Sequence, residues 1–276
     1  MRRKPRASGP LAIGRGRAYL AGMVRNPFSK RRAQADPAVP PGTAVYAIGD
    51  IHGRLDLLTD LLGRIAADPE RGEAERKVIV CLGDYVDRGA HSAGVIDLLL
   101  DRIPPGFEVV TLLGNHERLM IEFLDDVRRG PLWLRNGGDA TLESYGLEVG
   151  DNADLDARRL LALQAAFREY LPARHLEFLQ SLKLAHAEGD YVFVHAGVRP
   201  GVPLAAQQEE DLIWIRELFL NSTADHGAVV VHGHTIRPEP EFRPNRIGID
   251  TGAYFTGHLT CLALEGTKRR IISTAP

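Results

Sequence analysis

The chain has 276 residues, 44% of them apolar and 25% charged, with a net charge of −2. That length supports one large domain or two small ones with a sizeable core. No stretch approaches the roughly 20 apolar residues of a membrane helix, and the N-terminus lacks the apolar core of about 7–15 residues that a secretory signal needs.

Residues 1–42 read as a basic N-terminal arm, expected to be disordered. Ten Arg or Lys side chains and no acid fall within residues 1–35. Of the 34 basic residues, 24 then remain in the body against 36 acids, a net −12. Such an arm suits docking on an anionic surface. Prolines 37, 40 and 41 in "ADPAVPPGT" exclude a regular helix or a central strand there. The body is expected over residues 43–276.

From Thr43 apolar runs alternate with helix-period segments. Strands are predicted at 43–49, 77–83, 107–113, 190–195, 227–232, 245–250, 258–264 and 268–273. Leu55, Leu58, Leu62 and Ile65 recur at helical spacing, as do Val95, Leu98 and Leu99. Residues 117–189 are mostly helical in pattern, as in "DARRLLALQAAFREYL", and Pro172 suits the opening of another helix. The order predicts an α/β sandwich with a helical insertion in its middle. Cys81 and Cys261 lie in apolar strand runs with no CxxC pair, and so read as buried thiols. A soluble protein of the reducing cytoplasm is the expectation.

The strand ends carry the chemistry. "YAIGDIHG" ends in Asp50 and His52. "VIVCLGDYVDRG" ends in Asp84, with Asp87 and Arg88 on the next turn. "VVTLLGNHE" ends in Asn115 and His116, "YVFVHAG" in His195, and "VVVHGHT" in His232 and His234. Ligands collect at this edge of α/β sheets. Each residue alone has a plain structural reading: Asp50 or Asn115 as a helix cap, Asp84 and Asp87 as turn residues, each His as a hydrogen-bonded core residue. Together they share no structural need, and burying so many polar groups is costly without compensation. Divalent metals compensate, and mixed oxygen and nitrogen donors suit Mn, Fe or Zn.

The blocks "GDIHG", "GDYVDRG", "GNHE", "HAG" and "GHT", in this order, resemble the phosphoprotein phosphatase family of calcineurin-like binuclear metallophosphoesterases. "DLIWIRELFL", "NGGDATLESYG" and "GIDTGAYFTGHLTCL" are similar to its bacterial and phage-type branch. The resemblance covers residues 44–265 and leaves the arm outside. It implies an α/β fold with a central β-sandwich of mixed sheets flanked by helices. It also implies two divalent metals, manganese first, with iron and zinc as the other candidates. Asp50 and His52 are implied to bind one metal, Asp84 to bridge, and Asn115, His195 and His234 to complete the second site. His116 is implied to be the general acid, oriented by Asp87. Arg88 and Arg216 are implied to hold the phosphate oxygens, with Asn115 beside them. His232 is left as structural, and Asp250 and His258 match no metal position.

The implied reaction is hydrolysis of a phosphate ester by a hydroxide shared between two metals about 3.5–4 Å apart. The expected substrate is a Ser/Thr phosphoprotein or a small phosphate ester. The competing readings are a hydrolase of diadenosine tetraphosphate and a non-catalytic phospho-binding scaffold. The filled ligand set argues against the scaffold, and the acidic body argues against nucleic acid.

Overall fold

The computed structural model describes residues 36–150 and 156–274. Residues 1–35, where the basic arm is expected, lie outside the described residues.

Ten strands form two five-stranded sheets among the described residues. In the first, β1 (Thr43–Ile48), β2 (Arg76–Cys81) and β3 (Glu108–Thr111) run parallel. β9 (Thr260–Glu265) pairs antiparallel with β1, and β10 (Lys268–Ser273) antiparallel with β9. The second sheet has the order β4-β5-β6-β8-β7. Here β5 (Tyr191–Val194), β6 (Val229–His232) and β8 (Arg246–Gly248) are parallel. β4 (Ala185–Glu188) and β7 (Glu241–Phe242) pair antiparallel at the two edges.

The two-residue period of a strand sorts each apolar run between two faces. Val45, Ala47, Val78, Val80, Leu262 and Leu264 point from the first sheet toward Tyr191, Phe193, Val229, Val231 and Ile247 of the second, forming the core of the sandwich. The intervening Tyr46, Ile48, Ile79 and Cys81 face outward onto helix α1 (Leu55–Ala66) and helix α2 (Ser92–Asp101). Val192, Val194 and Val230 do the same for Leu212, Ile213 and Phe219. Strands covered on both faces read as continuous apolar runs, which is why these were visible in sequence.

Two edge strands were not visible. β4 is "AHAE", with no β-branched or aromatic residue, and its strand state comes from pairing with β5. β7 is two residues long. Several predicted strands also stop early. β2 ends at Cys81, and Gly83 already has φ 106°.

The region after helix α3 (Asn115–Asp125) is helical, with segments at Gly130–Trp133, Asp139–Ser144, Ala157–Tyr170 and Ala173–Ser181. Asp156 caps the longest of these, its carboxylate accepting the Arg159 N–H at 2.7 Å. Trp133 is fully buried between Phe123 and Phe167. No described helix is long and apolar enough to cross a membrane.

Residues 38 and 39 contact the sandwich ahead of Thr43. Val39 is buried and donates its N–H to Gly266 O at 3.0 Å. Asp190 N–H donates to Ala38 O at 2.9 Å, and Ala38 N–H to the Asp190 carboxylate at 3.0 Å. The prolines at 37, 40 and 41 rule out a central strand, but this edge contact uses only the N–H groups of Ala38 and Val39 and the Ala38 carbonyl. These contacts lie where β1 and β5 begin, at the end of the sandwich away from Asp50 and His195.

Candidate active site

The C-terminal ends of β1, β2 and β3 meet those of β5 and β6 along the seam between the sheets. Asp50, His52, Asp84, Asp87, Asn115, His116, His195 and His234 are all buried there. The backbone is forced to gather them. Among the described residues the non-glycine positions with positive φ are His52 (46°), Asp84 (54°), Asp87 (71°), Arg88 (70°) and His234 (61°). All five are site residues. Such left-handed positions cost on the order of 1 kcal/mol each and persist only where the surroundings over-determine them.

Glu117 is the main brace. It is fully buried, and its carboxylate accepts four backbone N–H groups: Asp84 (2.9 Å), Gly114 (3.1 Å), Tyr85 (2.7 Å) and Val86 (3.1 Å). The turn after β1 is tied to the turn after β2 by Ile51 and His52 N–H, which both donate to Asp84 O. Gly114 and Gly233 allow close approaches to the carboxyls, since a Cβ at either would overlap Oδ1 of Asp84 or Asp50.

Carbonyl groups fix the imidazole tautomers. His52 Nδ1–H donates to Val86 O at 2.9 Å and His195 Nδ1–H to Leu82 O at 3.0 Å. Each ring therefore turns an Nε2 lone pair into the seam, the arrangement that prepares a histidine to ligate. His195 Nε2 meets Asn115 Oδ1 at 2.9 Å, His234 Nδ1 at 3.2 Å and Asp84 Oδ1 at 3.5 Å. On the other side, His52 Nε2 lies 3.5 Å from Asp84 Oδ2, and His116 Nε2 lies 3.9 Å from it. So the two oxygens of Asp84 face different histidines. The donor atoms of His52, Asp84 and His116 lie within 4.8 Å of one another, as do those of Asp84, His195 and His234.

Electrostatics favour a cation. Burial pushes Asp84 well above the ordinary carboxylate range, helped by Glu117. Burial does the same to Asp50, with Asp250 and Asp84 adding to it. Burial also holds His52 well below its usual value and takes His195 down to about 3. Neutral imidazoles and crowded carboxyls, with lone pairs converging and the Nε2 of His234 buried without a partner, fit divalent metal ions. His52, Asp84, Asn115, His195 and His234 would hold them, with Asp50 adjoining.

Asp50 stands beside these groups. By sequence it groups with His52 and Asp84. In the structure its oxygens accept the His234 N–H at 3.0 and 3.2 Å and lie outside both close groups, whereas His116 joins His52 and Asp84. Asp250, set aside in the sequence, is buried beside it, and burial raises its carboxyl to about 6. It follows β8 just as the other site residues follow their strands, a signal present in "GIDTG". His258 is exposed. His232 packs on Phe219 with ring centroids 5.1 Å apart, bonds through Nδ1 to Gly233 O, and joins neither group.

His116 Nδ1 lies 2.7 Å from Asp87 Oδ2. Asp87 also accepts from Trp133 Nε1 at 3.0 Å and Thr141 Oγ1 at 2.6 Å, both delivered by the helical region. Burial raises Asp87 to about 8, against the pull of those two donors and Arg88. Burial, with Arg88 and Arg216, holds His116 down to about 3. The Arg88 guanidinium reaches His52 Nε2 at 3.1 Å and His116 Nε2 at 3.0 Å. Arg216 is exposed at the rim and donates to His234 O and Thr235 Oγ1, each at 3.2 Å. Glu117, Trp133, Thr141 and Asp250 are the contributors that the sequence motifs did not single out.

Comparison with known proteins agrees with this geometry. The family model described as Calcineurin-like phosphoesterase matches residues 43–259. Serine/threonine-protein phosphatase 1 of Salmonella typhimurium strain LT2 is 30% identical over 232 residues, 80% of this chain and 92% of that protein. The symmetrical bis(5'-nucleosyl)-tetraphosphatase of Dechloromonas aromatica is 34% identical over 157 residues, 57% of this chain and 45% of that protein. A crystal structure assigned as a diadenosine tetraphosphatase superposes with a TM-score of 0.56 at 21% identity, over 87% of this chain and 98% of that one. Paired mixed sheets, a histidine and carboxylate seam at their C-terminal edges and a match across most of the body place the chain in the calcineurin-like phosphoesterase family.

Proposed function

We propose that the protein is a Ser/Thr-type phosphoprotein phosphatase working with two divalent metal ions, manganese first, with iron and zinc as the other candidates. The observation that carries the two-metal reading is the split of Asp84, one oxygen 3.5 Å from His195 Nε2 and the other 3.5 Å from His52 Nε2. Bound metals would supply Lewis-acid stabilisation and a water of lowered pKa.

The residues supply the rest. Arg88 and Arg216 approach from two sides, and each planar guanidinium can contact two phosphoryl oxygens. Asn115 Oδ1 lies 2.9 Å from His195 Nε2 among the metal donors, and its amide is assigned to contact a phosphoryl oxygen. His116 donates its proton from Nε2 to the leaving alkoxide, because an unprotonated serine alkoxide leaves poorly. Asp87 holds Nδ1 and so fixes the ring. An incoming phosphate anion opposes the two arginines that depress His116 and pulls the imidazole back toward its protonated form.

The phosphoprotein reading is supported by the Salmonella phosphatase, which is matched over 92% of its length. A second reading, hydrolysis of a dinucleoside tetraphosphate, is supported by the Dechloromonas protein, matched over 45% of its length. A cytoplasmic setting is supported by two free buried thiols, Cys81 and Cys261. The test is a panel with Mn(II): a phosphoserine peptide, p-nitrophenyl phosphate and diadenosine tetraphosphate. The expected order places the peptide well above the dinucleotide in kcat/KM. Preferred cleavage of the dinucleotide with no action on the peptide overturns the proposal in favour of the second reading.

A further inference from the structure

Among the described residues Arg88 makes no direct ion pair, although its charge reaches the carboxyls of Asp50, Asp84, Asp87 and Asp250. Its polar partners are the neutral Nε2 atoms of His52 and His116, and its backbone N–H donates to Gly137 O at 3.0 Å. One more group meets the guanidinium. The ring of Tyr254 lies face-on to it, with Cζ 4.7 Å from the ring centroid. The same ring meets His52 edge-on, with centroids 5.4 Å apart at 83°.

Tyr254 sits on a braced loop, within its single helical turn Ala253–Thr256. Gly252 N–H donates to Asp250 Oδ1 at 2.9 Å, Thr251 Oγ1–H to His258 O at 2.7 Å, and Arg54 Nη1–H to Ala253 O at 2.9 Å. The last bond ties this loop to the turn that carries His52. Phe255, 61% exposed, packs its ring 5.1 Å from that of Tyr254. The loop thus presents an aromatic face to Arg88 from a fixed position.

We propose that Tyr254 is the positioning residue for Arg88, its ring face holding the guanidinium toward the phosphate oxygens without neutralising the charge they need. A carboxylate in the same place would hold the arginine equally well but would repel the substrate. An aromatic face attracts the cation through its quadrupole and itself takes up none of the N–H donors at the guanidinium edge. The inference rests on the phosphate-holding role of Arg88 proposed above.

The test is a double-mutant cycle between Tyr254 and Arg88 in the full-length, Mn-loaded protein. The readouts are p-nitrophenyl phosphate kinetics and competitive inhibition by inorganic phosphate. Tyr254→Leu is expected to weaken phosphate inhibition and lower kcat/KM about 5–30-fold, the range of a partly desolvated cation–π contact. Tyr254→Phe keeps the ring and is expected to stay within about twofold of the parent. In an Arg88→Ala background, Tyr254→Leu is expected to add almost nothing. Additive losses, or equal losses from the Phe and Leu variants, overturn the inference alone. An Arg88→Ala variant that binds phosphate as tightly as the parent overturns the Arg88 assignment and the inference with it.

Discussion

His116 Nδ1 and Asp87 Oδ2 stand 2.7 Å apart, both buried, and the Asp87 carboxylate is held in turn by Trp133 and Thr141. With Nδ1 taken by Asp87, His116 turns Nε2 into the seam, where the Arg88 guanidinium meets it at 3.0 Å. His116→Asn is expected to lower kcat about 10²–10³-fold on a phosphoserine peptide and under about tenfold on p-nitrophenyl phosphate, whose leaving group needs little protonation. Steady-state kinetics on the two substrates decide it. Equal losses would mean that His116 only contacts phosphate or supports the fold.

Glu117 makes a different kind of contribution. Its four N–H partners belong to the segments that carry Asp84 and Asn115. Glu117→Ala leaves those buried donors unmet at a cost of about 3 kcal/mol, equivalent to roughly 10 °C in Tm for a domain this size. Thermal unfolding of the metal-free protein would show it. An unchanged Tm would mean that water or another acceptor replaces the carboxylate.

Much of this was legible. β1, β2 and β6 declare themselves because both faces are buried, and glycine-flanked polar residues at their ends mark the site. Trp133 and Thr141 were not legible: they lie 46 and 54 residues from Asp87, and only tertiary packing joins them. Glu117 was in plain view within "GNHE" but has no chemistry of its own, so nothing in the motif announces its four backbone bonds. Asp250 obeys the strand-end rule, but it matches no ligand position of the resembled family. The prolines before Thr43 indicated a tail, while an edge contact through Ala38 and Val39 tolerates them.

The raised carboxyls set the pH dependence of metal uptake. Without metal, Asp50 and Asp84 hold protons to well above the ordinary carboxylate range, because burial and neighbouring carboxyls penalise the charged form. Metal binds the deprotonated form, so binding releases protons and affinity falls as pH falls through that raised range. The imidazoles of His52 and His195 are held below their usual value and are already neutral at pH 7. Titration calorimetry of Mn(II) in two buffers of different ionisation enthalpy, repeated across that raised range, is expected to show proton release on binding and an affinity that weakens as pH falls. No proton release would contradict the raised carboxyls.

The N-terminal boundary gives a two-part prediction. Deleting residues 1–35, with their ten cations, is expected to leave p-nitrophenyl phosphate hydrolysis within about twofold of the parent. It is expected to abolish binding to phosphatidylserine vesicles, binding that salt weakens in the full chain. Deleting on through Pro40 removes the buried Val39 and the bonds to Gly266 and Asp190, and is expected to cost about 2–3 kcal/mol of stability. Vesicle sedimentation and thermal unfolding separate the two. Loss of activity on the small substrate in the shorter deletion would place residues 1–35 within the catalytic body.

The central claim is that Asp84 divides its two oxygens between two metal positions. Metal-free protein titrated with Mn(II), with bound metal counted by elemental analysis and p-nitrophenyl phosphate hydrolysis followed at each step, tests it most directly. Activity should reach its plateau only at two bound ions per chain. Full activity at one ion per chain, with no second ion taken up, would contradict the account.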